Sequence, residues 1–269
     1  MVYWWDGQWF EQEIIQLPIN EPGLLYGATV FTTLRVYQQC LDHPLTHWAD
    51  HGDRLRQSLQ SLHWPTPHWQ QVESAARELG RKSPVLRITC FPSGQVLITG
   101  RELAEDLQQR QQLGINAWLM PPGRYQRSLA ELKTGNYLAP WLAQRIAQEN
   151  SAQEAILTDI NGHWLETATG NLWGWRDGEF FTPPLTGQQL PGITLQHLRT
   201  WLEEKGLTIH GDRWSKSLVK TFQGLAYSNS GVEVVPIKQV GEEGQPWLNF
   251  ASAQSLEYEL LASYWTIQR

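Results

Sequence analysis

Lys133, in the run Glu131-Leu132-Lys133-Thr134-Gly135-Asn136-Tyr137, is the residue of this chain best placed to act as a nucleophilic amine. It precedes a compact Thr-Gly-Asn turn and the apolar run Tyr137-Leu138-Ala139-Pro140-Trp141-Leu142, where an irregular segment enters a helix. Burial there would disfavour the ammonium, since low dielectric can lower a lysine pKa by roughly 3–5 units, and a neutral amine forms a Schiff base with an aldehyde. Taken alone, a lysine ahead of a helix is more often a solvated surface residue.

Its companions decide between these readings. Glu166 opens the small-residue stretch Glu166-Thr167-Ala168-Thr169-Gly170-Asn171 at the end of an apolar run, where a carboxylate either faces solvent or can keep a ring nitrogen protonated. Pro191-Gly192-Ile193-Thr194 precedes the amphipathic run beginning at Leu195. The N–H groups and dipole of a helix start there would suit an anion, although Gly and Thr also serve simply as caps. Arg54 heads another apolar stripe and offers a cation, or a solvated helix-end charge. Ser228-Asn229-Ser230-Gly231 supplies small polar groups after Leu225-Ala226-Tyr227, as an ordinary turn also would. An amine, an acid for a ring nitrogen, a cation and a cup of N–H and hydroxyl groups are the parts that a lysine-linked pyridoxal phosphate requires.

Strands and helices must carry these groups. Asp6-Gly7, Asn161-Gly162 and Asp177-Gly178 each separate two apolar runs and predict hairpins with type I′ turns. Further strands are predicted over Val85–Phe91, Gln95–Gly100 and Ile115–Met120. Leu55, Leu59 and Leu62 repeat at helical spacing, as do Trp69, Val72, Ala76 and Leu79, then Leu195, Leu198 and Leu202, and finally Leu256, Leu260 and Tyr264. Each stripe is expected to face a core. Met120-Pro121-Pro122-Gly123-Arg124 can continue neither a ladder nor a helix, so a domain boundary is expected there, giving domains 1–120 and 121–269.

The composition bounds the function classes. With 269 residues, 41% of them hydrophobic, and 15 tryptophans, the chain can bury two aromatic-rich cores. A net charge of −6 without a basic run argues against a nucleic-acid partner. No apolar run approaches the ~20 residues of a membrane span, and no signal peptide is evident, so no membrane partner is expected. Cys40 and Cys90 form no paired motif, which suits a reduced cytoplasmic protein. His43, His47 and His51 look like metal ligands. At ~1.5 Å per residue, however, a helix would hold the first and third about 12 Å apart, and no metal is expected.

In order along the chain, these segments resemble the fold-type IV pyridoxal-phosphate enzymes, which include branched-chain aminotransferases, D-amino-acid aminotransferases and 4-amino-4-deoxychorismate lyases. The likeness runs through Tyr26-Gly27-Ala28-Thr29-Val30-Phe31-Thr32-Thr33-Leu34-Arg35, His51-Gly52-Asp53-Arg54-Leu55, Lys133–Tyr137, Glu166–Trp173, Phe181-Thr182-Pro183-Pro184, Leu190–Thr194 and Ser228–Ile237. It implies a two-domain α/β and α+β fold, with a smaller N-terminal α/β domain and a larger C-terminal domain rich in antiparallel strands. It also implies that Lys133 carries pyridoxal 5′-phosphate and moves the substrate's Cα proton, and that Glu166 pairs with the pyridine nitrogen. By the same resemblance Arg54, Ile193, Thr194, Asn229 and Ser230 hold the phosphate, and Tyr137 lies near the cofactor. Tyr26, Phe31 and Thr33 would line the substrate pocket, and the enzyme would be a homodimer acting on a small amino-acid-like compound; Arg87, which the resemblance does not assign, is the arginine expected to meet a substrate carboxylate.

The reaction is less uniform in its signals. Phe31-Thr32-Thr33, Ser228-Asn229-Ser230 and the short chain resemble aminodeoxychorismate lyases, which release pyruvate to leave 4-aminobenzoate for folate synthesis. Tyr26–Phe31, Phe181–Leu185 and Glu233-Val234-Val235-Pro236-Ile237 are as similar to branched-chain aminotransferases, whose lysine and tyrosine usually stand one residue further apart than Lys133 and Tyr137. There is no Arg-x-His pair after Phe91, as a D-amino-acid enzyme would carry, and Phe91-Pro92-Ser93-Gly94 replaces the family's usual Arg-Gly. The lyase is the leading expectation, a class IV aminotransferase the alternative, and a non-catalytic cofactor carrier a remote third.

Overall fold

The computed structural model describes residues 2–267. Met1–Ala104 and Leu132–Asn136 form one compact unit; Glu105–Glu131 and Tyr137–Arg269 form another. The chain changes unit at Ala104, ahead of the boundary expected at residue 120. The reason is that Ile115–Leu119, expected to close the first domain, pairs in parallel with Glu154–Thr158 and with Glu233–Glu242.

The first unit is a five-stranded antiparallel sheet of β1 (Tyr3–Trp5), β2 (Gln8–Phe10), β3 (Val30–Arg35), β4 (Val85–Cys90) and β5 (Val96–Arg101), in the order β2-β1-β5-β4-β3. Asp6 and Gly7 both take positive φ, as the predicted β1–β2 turn requires. Helices α2 (Trp48–Ser61) and α3 (Trp69–Gly80) share a core with the sheet, in which Leu55, Leu59, Val72, Ala76 and Leu79 meet Leu34, Leu86, Ile88 and Ile98. A short α1 (Pro22–Tyr26) leads into β3 and buries none of its residues.

The second unit holds β6 (Ile115–Leu119), β7 (Glu154–Thr158), β8 (Trp164–Thr167), β9 (Asn171–Arg176), β10 (Glu179–Phe181), β11 (Ile209–His210), β12 (Gly224–Asn229), β13 (Glu233–Glu242) and β14 (Gln245–Asn249). They form one mixed sheet, β11-β10-β9-β12-β13-β6-β7-β8, with β14 paired to β13. Helices α4 (Leu107–Leu113), α5 (Leu138–Glu149), α6 (Ile193–Glu204), α7 (Lys216–Val219) and α8 (Leu256–Ile267) complete it. Asp177 and Gly178 make the predicted positive-φ turn between β9 and β10. The Asn161-Gly162 connection differs, because β7 stops at Thr158 and Asp159 Oδ1 accepts the N–H groups of Asn161 and His163, capping a longer loop.

Tryptophan dominates this core, with Trp164, Trp173, Trp175 and Trp214 all fully buried. Gly224 is required opposite Trp175, since a Cβ there would stand 2.1 Å from the indole. The indole nitrogens of Trp164, Trp175 and Trp214 find no hydrogen-bond partner. Each costs about 1–3 kcal/mol unpaired. Burying the ring removes roughly 150–250 Å², worth about 4–6 kcal/mol at ~25 cal/mol/Å², so burial wins. The α8 stripe is displaced from its expected register. Leu256 is 80% exposed, and Tyr258, Leu261, Tyr264 and Trp265 face inward, Tyr264 meeting Trp201 of α6 edge-on at 5.7 Å.

Candidate active site

In the first unit Lys133 is fixed by backbone pairing rather than by the turn alone. The Phe31 N–H donates to the Lys133 carbonyl at 2.8 Å, the Gly135 N–H to the Thr29 carbonyl at 2.7 Å, and Thr134 bridges Val30. Leu132–Asn136 thereby extends the sheet beside the start of β3. Gly135 is obligatory, because a Cβ there would lie 2.0 Å from Thr29 Oγ1. The lysine is half-buried rather than fully enclosed, and its Nζ stands 4.9 Å from the centroid of the buried Phe31 ring.

Strand alternation sorts the remaining residues of this unit onto two faces. Phe31 and Thr33 share a face with Arg87, the cross-strand partner of Thr33, and the Arg87 guanidinium carbon lies 3.6 Å from the Phe31 centroid. Lys133, Phe31, Thr33 and Arg87 therefore come together. Thr32 points the other way, toward α2, where its hydroxyl accepts from Arg54 Nη2 at 2.6 Å and meets Nδ1 of the buried His51 at 2.6 Å. A hydroxyl can accept from the guanidinium while donating to the ring nitrogen. Arg54 is thus anchored on the helix-facing side of β3, away from Phe31. Tyr26 ends α1 and is 73% exposed. Of the three histidines that suggested a metal, His43 caps the turn Pro44–Thr46, His47 takes φ 51° before α2, and His51 serves Thr32.

The second unit assembles an anion and a cup. Glu166, 4% exposed at the end of β8, pairs with Arg127 Nε at 2.8 Å through one oxygen and accepts the Leu190 N–H at 3.0 Å with the other. Both side chains of this pair are buried, so charge and hydrogen bonds satisfy each other. Asn171, opening β9, donates to the Leu190 carbonyl at 2.8 Å and approaches so near Gly192 that a Cβ there would lie 2.1 Å from Asn171 Oδ1. Glycine thus seats the entry to α6, whose start carries no side-chain cap. Ile193 and Thr194 form its first turn, where backbone N–H groups have no partner within the helix. The Thr194 hydroxyl meets that of Ser230 at 3.2 Å. Asn229 Oδ1 accepts from the N–H groups of Gly231 at 2.8 Å and Val232 at 3.0 Å, shaping the loop that presents Ser230. The Tyr137 hydroxyl donates to the Ala168 carbonyl, in the turn that follows Glu166.

Sequence reasoning missed Arg127, Thr32, Asn171 and the ladder role of Thr134. Only Asn171 left a signal, as a polar residue opening an apolar strand beside a small-residue turn.

Donor set and geometry suit a phosphorylated aromatic aldehyde, with an uncapped helix start and paired hydroxyls for a phosphate and a charge-held carboxylate for a ring nitrogen. Comparison with known proteins agrees. Residues 29–240 match the model of the amino-transferase class IV family. The chain is 26% identical over 265 residues to the branched-chain-amino-acid aminotransferase of Salmonella typhimurium, covering 88% of this chain and 84% of that protein. It is 23% identical over 250 residues to the aminodeoxychorismate lyase of Vibrio harveyi, covering 83% and 87%. A T.th. branched-chain amino acid aminotransferase, solved with N-(5′-phosphopyridoxyl)-L-glutamate, superimposes with a TM-score of 0.81 at 20% identity over 100% of this chain and 95% of that one. The fold is that of the fold-type IV aminotransferases, and the chain belongs to the amino-transferase class IV family of pyridoxal-phosphate-dependent enzymes.

Proposed function

We propose that this protein is an aminotransferase that moves an amino group between a branched-chain-like amino acid and a 2-oxo acid. The observation that carries this reading is the placement of Lys133 and Arg87 against one ring, Phe31. An amine beside a guanidinium suits a substrate whose carboxylate adjoins its amino carbon. Transfer is favoured over elimination because branched-chain aminotransferases share more identity with the chain than the lyase does.

Pyridoxal phosphate, when bound, supplies the electron sink. Lys133 Nζ would hold the cofactor's aldehyde carbon and take the proton from the substrate Cα. Glu166, paired with Arg127, would accept a hydrogen bond from the ring nitrogen. The first-turn N–H groups of Ile193 and Thr194, the hydroxyls of Thr194 and Ser230, Asn229 and the Arg54 cation would receive the phosphate. Tyr137 would border the ring. Arg87 would orient the substrate carboxylate, and Phe31, Thr33 and Tyr26 would border its side chain.

The test supplies purified protein and cofactor with L-leucine and 2-oxoglutarate. Glutamate and the matching branched 2-oxo acid are expected; their absence, with cofactor bound, overturns the assignment. The lyase is the second reading, favoured by Thr33 lying on the Arg87 face within Phe31-Thr32-Thr33. It requires 4-aminobenzoate and pyruvate from aminodeoxychorismate without any oxo acid. A homodimer accords with apolar side chains left exposed within each unit, Leu24, Leu25 and Tyr26 on α1 and Leu138, Trp141 and Leu142 on α5. A cytoplasmic location accords with the free thiols of Cys40 and Cys90. Among the described residues no helix is long and apolar enough to cross a membrane.

A further inference from the structure

Glu154, the first residue of β7, is a buried acid that the proposed chemistry leaves unused, with 2% of its surface exposed. One carboxyl oxygen accepts the Ala155 N–H at 3.0 Å, and the other accepts the Thr169 hydroxyl at 2.5 Å. Burial pushes the pKa of Glu154 up to about 7, against the opposing effect of the Thr169 hydroxyl, so an acid is held where a neutral side chain would be less costly. Thr169 lies in the exposed turn between β8 and β9. Its carbonyl and hydroxyl oxygens both accept from Asn229 Nδ2, at 3.2 and 3.5 Å. Asn229 in turn closes the loop through Gly231 and Val232, and that loop carries Ser230 to Thr194 at the start of α6. The bonds run without interruption from the buried carboxyl to the two hydroxyls of the cup.

We propose that Glu154 is a positioning residue for phosphate recognition, fixing Thr169 and, through Asn229, the 229–232 loop, so that the Ser230 and Thr194 hydroxyls are set for a phosphate monoester. This rests on the assignment of Thr194, Asn229 and Ser230 to the cofactor phosphate. In either protonation state Glu154 keeps an oxygen for the Thr169 hydroxyl, as acceptor or as donor.

The experiment measures dissociation constants of pyridoxal 5′-phosphate and of pyridoxal, which has the aldehyde without the phosphate, from the absorbance of the lysine adduct. Thr169→Val removes the hydroxyl at an exposed position and is expected to weaken the phosphorylated ligand about 3- to 10-fold, as for one lost hydrogen bond, with pyridoxal unchanged. Thr169→Ser restores binding. Glu154→Met, which takes the carboxyl partner from Thr169, weakens it comparably, and the double variant Glu154→Met/Thr169→Val adds no further loss, as expected of residues acting in one chain. Equal losses for the two ligands, no loss for either, or additive effects would overturn the proposal. Should Glu154→Met not fold, the Thr169 variants decide alone. Wild-type protein that binds pyridoxal 5′-phosphate no better than pyridoxal would instead sink the phosphate-site assignment, and this inference with it.

Discussion

In the five-stranded unit the candidate groups are cations: Lys133 and Arg87 stand against the Phe31 ring, and Arg54 donates to the Thr32 hydroxyl. In the larger unit the useful group is an anion, Glu166, held by a buried arginine and a backbone N–H. A cation beside an aromatic face gains about 0.5–1 kcal/mol where exposed and about 2 when desolvated. Removing one partner of a buried pair costs about 3–5 kcal/mol. Loss of the Phe31 ring should therefore cost the smaller unit less than loss of Arg127 costs the larger one, where the carboxylate is locked before anything binds.

Lys133→Ala tests the cationic side most severely. Activity should fall roughly 10²–10⁴-fold, with borohydride no longer trapping the aldehyde on the protein; unimpaired turnover would remove the amine from the mechanism. Arg127→Met tests the locked side by leaving Glu166 buried without its cation. Urea denaturation should show about 3–5 kcal/mol of lost stability, and a loss below about 1 kcal/mol would mean that the carboxylate is not held as described.

Glu154 extends the comparison to a second buried acid that lacks a salt bridge of its own. Its folded pKa of about 7 exceeds its ordinary 4.5, so the folded protein binds this proton more tightly than the unfolded chain. The associated stability is fully present below pH 4.5 and is lost as pH rises through 7. Relative to Glu154→Gln, wild-type stability should fall by up to about 3 kcal/mol between pH 5 and 8, as followed by urea unfolding. Parallel pH profiles for the two proteins would contradict the burial argument. The smallest effect is expected of Phe31→Leu, which keeps an apolar side chain but removes the ring under both cations. A rise in KM of roughly 2- to 10-fold with little change in stability is expected, and an unchanged KM would show that the ring does not place Arg87.

Most of the frame was legible before any coordinates. Two of the three Asp-Gly and Asn-Gly turns form as predicted because both turn residues accept positive φ; the third hairpin pairs β7 with β8 as expected, but its turn is reshaped because Asp159 offers the backbone a better partner. Three of the four helices with apolar stripes follow them, but α8 is rotated, since Leu256 and Leu260 are apolar whether or not anything packs on them. The helix start proposed for the phosphate was readable as a helix start from Gly192-Ile193-Thr194, since a glycine and a hydroxyl residue ahead of an apolar stripe mark one. The partners of the site residues were not readable. Arg127 is remote from Glu166 in sequence and belongs to no pattern, and the pairing of Lys133 with Phe31 is a backbone event that no side chain announces. The domain boundary missed for the same reason, as strand pairing between β6 and β13 outweighs the local punctuation of Pro121, Pro122 and Gly123.

Leu132–Asn136 has one further consequence, for dissection of the chain. Severing the chain after Ala104 would leave the amine proposed for the chemistry on the C-terminal piece and its docking strand, Val30–Arg35, on the other. Neither fragment alone could inherit the chemistry, so complementation of the two halves, rather than activity of either, is what a split version of this protein can offer.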